Sequence, residues 1–186
     1  MKLKVVVCLL AFASLFAVAA SAQDLPKLDV FAGYSYVRVN PSTSGIDSFG
    51  LHGGSASVAY NANRWLSGVA DFGGYHANHI LGTGTDGTLS TYLFGPRISY
   101  RHSDRVTPFG QVLFGVAHIS GSNGLASSSD NAFAMTVGGG VDVKVAHRLS
   151  VRPVQVDYLL TRFNELARGA QSQNNLRVST GVVFHF

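Results

Sequence analysis

The sequence predicts an all-β protein, an eight-stranded antiparallel up-and-down transmembrane β-barrel. Three observations carry that expectation. Side-chain character alternates with period 2 in eight segments, at about 28–39, 50–60, 65–77, 89–101, 106–119, 132–146, 149–161 and 175–186. The connections alternate between short polar turns and longer loops rich in Gly, Ser and Asn. Hydrophobic residues make up 46% of the chain, yet after the N-terminal segment they never run long enough for a membrane helix, which takes ~20 consecutive apolar residues.

That N-terminal segment comes first. Met1–Lys4 carries two lysines, Val5–Ala20 is an apolar run, and Ala20-Ser21-Ala22 is an A-x-A cleavage site. This order reads as a secretory signal peptide over 1–22, with the barrel domain over 23–186. A retained anchor is the alternative. Cys8 lies inside the apolar run rather than at the cleavage point, which argues against a lipoprotein, and its removal leaves no cysteine for a disulfide. Loss of Lys2 and Lys4 leaves 12 Lys and Arg against 10 Asp and Glu. A balance of about +2 is too small to point to a nucleic-acid partner.

In segment 28–39, Phe31, Tyr34 and Tyr36 put aromatics on both parities, so its sides stay open. Segment 50–60 leads to the short turn Asn61–Arg64. In 65–77, Leu66, Ala70 and Phe72 oppose Ser67, Asp71 and Gly73. In 89–101, Tyr92, Phe94, Pro96, Ile98 and Tyr100 oppose Thr91, Leu93, Gly95, Arg97 and Ser99, before the turn His102–Arg105. In 106–119, Val112, Phe114 and Val116 oppose Phe109, Gln111 and Leu113. In 132–146, Met135, Val137, Val141, Val143 and Val145 oppose Thr136, Gly138, Gly140, Asp142 and Lys144, before the turn His147-Arg148. In 149–161, Gln155 and Asp157 share a parity that Arg152 does not. Either a bulge near Pro153 shifts the register, or Arg152 snorkels to headgroups. In 175–186, Val178, Thr180, Val182, Phe184 and Phe186 oppose Arg177, Ser179, Gly181, Val183 and His185.

The long connections are Asn40–Phe49, Asn78–Thr88, Ser120–Asn131 and Arg162–Asn174. Short turns on one rim and long loops on the other match an outer-membrane barrel. In hydrocarbon every backbone polar group needs a protein partner, so the sheet has to close and the first strand has to pair with the last. Alternation then places Asp71, Arg97, Gln111, Asp142, Lys144, Gln155, Asp157 and Arg177 in the lumen. Three acids face three bases there, as a salt-bridged plug requires. A charged ion path is the sharper alternative.

With the signal peptide, the segments F-A-G-Y-S-Y (Phe31–Tyr36), W-L-S-G-V-A-D-F-G-G-Y (Trp65–Tyr75), Y-L-F-G-P-R (Tyr92–Arg97) and the terminal F-H-F resemble the small outer-membrane β-barrel family of OmpA/OmpX type. The resemblance covers the whole mature chain. It implies the outer membrane of a Gram-negative-type bacterium and contact with membrane lipid and lipopolysaccharide. It also implies assembly by the barrel machinery, with Val182, Phe184 and Phe186 in the C-terminal strand as the signal.

No phosphate-binding loop, H-E-x-x-H or nucleophile elbow is present, and no cofactor or metal is expected. His76 and His79, with His52 within reach, read as solvated rim histidines rather than metal ligands. His118 and Ser120 loosely resemble the His-x-Ser-Asn motif of lipid A deacylase barrels, but Gly121 stands where the asparagine belongs. They remain remote catalytic candidates, and no enzyme is expected. Arg162 and Arg168 are loop candidates for contacts with lipopolysaccharide phosphates or a host surface. The expected role is structural or interactional, in envelope integrity or adhesion through four outer loops, with host or envelope proteins as partners. The alternatives are a narrow ion or small-solute pore, and a soluble lipocalin-like carrier of hydrophobic ligands with its alternation reversed.

Overall fold

The computed structural model describes residues 26–40, 49–80, 85–103, 105–122, 127–165 and 169–186. They form eight strands: β1 (Leu28–Asn40), β2 (Phe49–Asn61), β3 (Leu66–Ile80), β4 (Thr85–Ser99), β5 (Val106–Ser122), β6 (Ser127–Ala146), β7 (Leu149–Glu165) and β8 (Gly169–His185). Each strand pairs antiparallel with its sequence neighbours, and β1 pairs with β8, so the sheet is a closed barrel. The seam runs from Asp29↔His185 to Asn40↔Asn174. Phe186 and Leu28 then exchange N–H···O bonds of 2.8 and 3.1 Å, so the last residue completes the closure.

Alternation decides what faces out. The outer wall presents Tyr34, Val58, Phe72, Tyr92, Phe94, Ile98, Phe114, Val116, Phe133, Val137, Val156, Tyr158, Val178, Val182 and Phe184, all well exposed. So broad an apolar surface is stable only against lipid. Tyr60, Trp65, Tyr100 and Phe186 gather at the short-turn rim, where aromatic rings suit the membrane boundary.

Both points left open by the alternation have a definite geometry. In β1, Phe31 is 2% exposed and faces the lumen, whereas Tyr34 is 51% exposed and faces outward. In β7 the register shifts between Arg152 and Gln155. Pro153 and Val154 are both exposed and together oppose Thr180, so a bulge turns Arg152 inward. Proline suits the site because it has no N–H to give to the ladder.

The strands run further at the loop end than period 2 alone suggests. β4 begins at Thr85, β6 at Ser127 and β8 at Gly169, while β5 and β7 continue to Ser122 and Glu165. The expected loops at 78–88, 120–131 and 162–174 therefore shorten to the connections 81–84, 123–126 and 166–168.

The lumen is filled in three layers. At the turn mouth lie Asp29, Asn61, Ser67, Arg101, Ser150 and His185. An ionic layer occupies the middle. Towards the loops, Val37, Val39, Leu51, Tyr75, Leu89, Leu93, Leu113, Ala117, Ala134 and Leu159 pack into an apolar layer.

Candidate functional site

The ionic layer is built by inward positions of β3 to β8. Arg177 on β8 is its centre. Its Nη1 donates to Asp71 at 2.6 Å and to Tyr75 Oη at 3.2 Å, and its Nε and Nη2 both donate to Asp157 Oδ2 at 3.0 and 2.8 Å. Asp157 also accepts from Gln111 at 3.2 Å and from Gln155 at 2.7 Å. Arg152 donates to both oxygens of Asp142, at 2.6 and 2.9 Å, and to Gln155 Oε1 at 2.7 Å. Arg97 binds Gln111 Oε1 through Nε and Nη2, at 3.0 and 2.8 Å. The guanidiniums of Arg97 and Arg152 each lie 4.4 Å from the centre of the Phe109 ring, and Arg152 is also 4.4 Å from that of Phe31. Aromatic faces attract cations, so Arg97 is accommodated without a direct carboxylate bond. Two glutamines and two arenes thus join three arginines to three aspartates.

Of the eight residues that alternation assigns to the lumen, seven stand in this connected network: Asp71, Arg97, Gln111, Asp142, Gln155, Asp157 and Arg177. Lys144 does not. Its side chain is exposed at the turn end of β6. Lys144 keeps the lumen parity, opposite the buried Ser150, but lies at the open turn mouth beyond the packed interior. Arg152 takes the third basic place at 0% exposure. Parity counting misses it because the bulge adds one residue. The turn-mouth cluster was also missed. There Asp29 accepts from Arg101 at 3.0 Å, lies 2.6 Å from His185 Nδ1, and accepts from Asn61 at 2.9 Å. Arg101 and His185 continue the lumen parities of Arg97 and Arg177 to the strand ends.

The remaining candidates lie on the outer wall. His118 Nδ1 is 2.8 Å from Asn131 Oδ1, and Ser120 follows on the same face, but no hydrogen bond joins His118 to Ser120. His52 and His76 are directly cross-strand. Their Nδ1 atoms contact the hydroxyls of Tyr34 at 2.5 Å and Thr88 at 3.1 Å. Among the described residues no group of three metal-ligating side chains forms. The His79 and Arg162 side chains, Arg168 and residues 1–22 lie outside the described residues. Val182, Phe184 and Phe186 face outward along β8.

A closed antiparallel barrel with an apolar outer wall, an ion-paired interior and an aromatic turn rim defines a transmembrane β-barrel of the small outer-membrane class. The model of the outer membrane protein beta-barrel domain matches residues 8–186, and the chain belongs to that family. Among solved structures it is similar to Neisserial surface protein A, with 16% identity and a TM-score of 0.72 over 88% of this chain and all of that one. The attachment invasion locus protein Ail of Yersinia pestis gives 15% identity and a TM-score of 0.56 over 86% of this chain and 99% of its own. The N-terminal β-barrel domain of Pseudomonas aeruginosa OprF gives 14% and 0.52, over 87% of this chain and all of that domain. At such identities the likeness is one of fold. No curated protein sequence matches the chain.

Proposed function

We propose that this protein is a sealed, non-enzymatic barrel of a Gram-negative-type outer membrane, acting in envelope integrity or surface adhesion through the loops at its long-loop end. The filled lumen carries this reading. Arg177, Arg152, Gln155, Tyr75, Leu93, Leu113 and Leu159 are all below 2% exposed, so an apolar layer lies over an ionic one across the interior. In the ionic layer three arginines face three aspartates, a balance that leaves no fixed charge to draw ions through. An eight-stranded barrel is just wide enough for side chains to fill it.

Exposure of one wall to lipid rather than water also disfavours the soluble carrier reading. On this reading the signal peptide 1–22 is cleaved, and Val182, Phe184 and Phe186 present the terminal strand to the assembly machinery. The loops meet lipopolysaccharide, host molecules or envelope proteins. One structure of Ail holds the heparin analogue sucrose octasulfate, which supports a surface role for the long-loop end here, with Arg168 in the connection 166–168 and Arg162, which falls in β7 rather than in a loop, as the cations of choice.

The test is purified, folded barrel in planar bilayers. It is expected to give no unitary conductance, while a protein with both Arg177→Ser and Leu113→Ser is expected to leak. Steady channel openings by the wild type would replace this reading with the pore. Adhesion is tested separately, by binding of the folded barrel to immobilised sulfated glycan with and without Arg162→Ala and Arg168→Ala.

A further inference from the structure

Two cations at the turn mouth of the lumen are used neither by the network nor by the loops. Arg105 precedes β5, and Lys144 stands near the end of β6. Val106 pairs with Val143, so Arg105 lies directly opposite Lys144, whose N–H donates to the Arg105 carbonyl at 2.8 Å. Both are on the lumen face. Arg105 continues the parity of Thr107, Phe109 and Gln111, and Lys144 continues that of Asp142 and pairs with the buried Ser150. Both side chains are exposed in the open mouth.

The described carboxylates of the mouth are already engaged. Asp142, on the same face of β6 and further in, holds Arg152 through both oxygens, at 2.6 and 2.9 Å. Asp29 accepts from Arg101 at 3.0 Å and lies 2.6 Å from His185 Nδ1, while His185 Nε2 is 2.8 Å from Ser150 Oγ. Among the described residues neither Arg105 nor Lys144 has an ion pair; Asp104 lies outside them. Arg101 adds a further donor to the mouth. Its Nη2 is shared by Asp29 and Asn61, and its Nη1 has no hydrogen-bond partner among the described residues. Residues directly opposite on an antiparallel pair have Cβ atoms about 4.5–5.5 Å apart, and like charges there destabilise the pair. An anion between Arg105 and Lys144 replaces that repulsion with charge-assisted hydrogen bonds. The mouth is blind, because the ionic and apolar layers fill the lumen beyond it. The barrel wall separates it from lipid, so such an anion arrives from water.

We propose that Arg105 and Lys144 hold a small soluble oxyanion of the phosphate type, inorganic phosphate or a phosphomonoester, at the turn mouth of the lumen. The guanidinium of Arg105 offers a fork that matches two phosphate oxygens, and the ammonium of Lys144 adds a compact charge with rotatable donors. A doubly charged tetrahedral anion satisfies both cations at once. Chloride has one charge and no pair of oxygens for the fork. The site lies at the end opposite the loops and does not depend on what they bind.

The test uses the folded full barrel in non-ionic detergent micelles, with inorganic phosphate as the probe and amide NMR as the readout. At low salt the resonances around Arg105 and Lys144 are expected to shift saturably with phosphate and not with equal chloride. The affinity should fall as sodium chloride is raised. Arg105→Gln with Lys144→Gln is expected to weaken binding by about tenfold or more, with the folded band on an unboiled gel retained. Arg105→Lys should keep most of the affinity. Arg38→Gln, on the outer wall towards the loops, should leave it unchanged. The wild-type titration needs no variant: no shift with phosphate, or shifts centred away from Arg105 and Lys144, overturns the proposal. So does binding that survives the double change, or that Arg38→Gln weakens equally. Phosphatidylglycerol added to the micelles separates the sources of phosphate. It is expected to leave these resonances in place, and a shift with phosphatidylglycerol but none with phosphate would assign the cations to a lipid headgroup and overturn the proposal.

Discussion

Asp157 is the residue on which most of the interior depends. It takes two bonds from Arg177 and one each from Gln111 and Gln155. Removing one partner of a buried ion pair leaves an uncompensated charge, at about 3–5 kcal/mol. Asp157→Ala is therefore expected to destabilise by that amount. Asp71→Ala should cost less, since Arg177 would keep both of its bonds to Asp157. Urea unfolding of the lipid-inserted barrel, followed by the single tryptophan Trp65, ranks the two. Glycines make a second contrast. A Cβ on Gly115 would overlap the carbonyl oxygen of Tyr92, whereas a Cβ on Gly74 meets nothing within 4 Å. Gly115→Ala is expected to lower stability by a few kcal/mol, in the manner of overpacking, and Gly74→Ala to change it by less than about 0.5 kcal/mol. Equal effects in the same unfolding assay would contradict the close cross-strand approach at Gly115.

At the level of the strand, the bulge at Pro153 lets Arg152 and Gln155 both face the lumen. Deleting Pro153 would remove the extra residue and leave Arg152 two positions before Gln155, still on the lumen side. An arginine at the exposed Val154 would instead put a charge on the lipid face, at about 2–4 kcal/mol. Val154→Arg is expected to lose the folded, faster-migrating band on an unboiled gel, and deletion of Pro153 to keep it. Arg152→Met with Asp142→Leu should retain it, because an apolar pair of similar size often replaces a buried ion pair without loss. The strands show why some of this was legible in the sequence and some was not. Period 2 identified all eight strands because lipid and lumen impose opposite demands on alternate side chains. It placed Asp71, Arg97 and Arg177 because each lies in an unbroken stretch. It could not place Arg152, since one extra residue inverts parity and Pro153 marks only where a bulge is permitted. Lys144 has the lumen parity that period 2 gives it, opposite the buried Ser150, but alternation carries no sign that it lies at the open mouth rather than in the network. The strand ends at Thr85, Ser127 and Gly169 were invisible for another reason: above the bilayer both faces meet water, and a paired strand there carries no alternation.

For the whole molecule, closure means that no strand is an edge and every strand has two partners. Unfolding one strand strips the ladder of both neighbours, so the barrel is expected to unfold in a single transition. Far-ultraviolet circular dichroism and Trp65 fluorescence should then coincide across a urea series. A separate early loss of dichroism would instead assign the strand extensions above the membrane to a less stable unit. Charge is sorted on the same scale. Three described arginines, Arg101, Arg152 and Arg177, are ion-paired inside, while Lys27, Arg64, Arg105, Lys144 and Arg148 stand exposed along the turn rim. One end of the molecule is thus a cationic collar, and at physiological salt its field reaches about 8 Å.

The extended hairpin of β5 and β6 has a further consequence. Its pairing runs unbroken from Val106↔Val143 to Ser122↔Ser127, leaving only residues 123–126 to join the strands. About 9–11 residues cross a bilayer, so several rungs of this ribbon rise beyond it like a mast. Ordering a residue's backbone costs roughly 1–2 kcal/mol. A ligand that lands on the tip meets backbone already ordered up to Ser122 and Ser127, and the entropy it would otherwise have to overcome has been removed at folding.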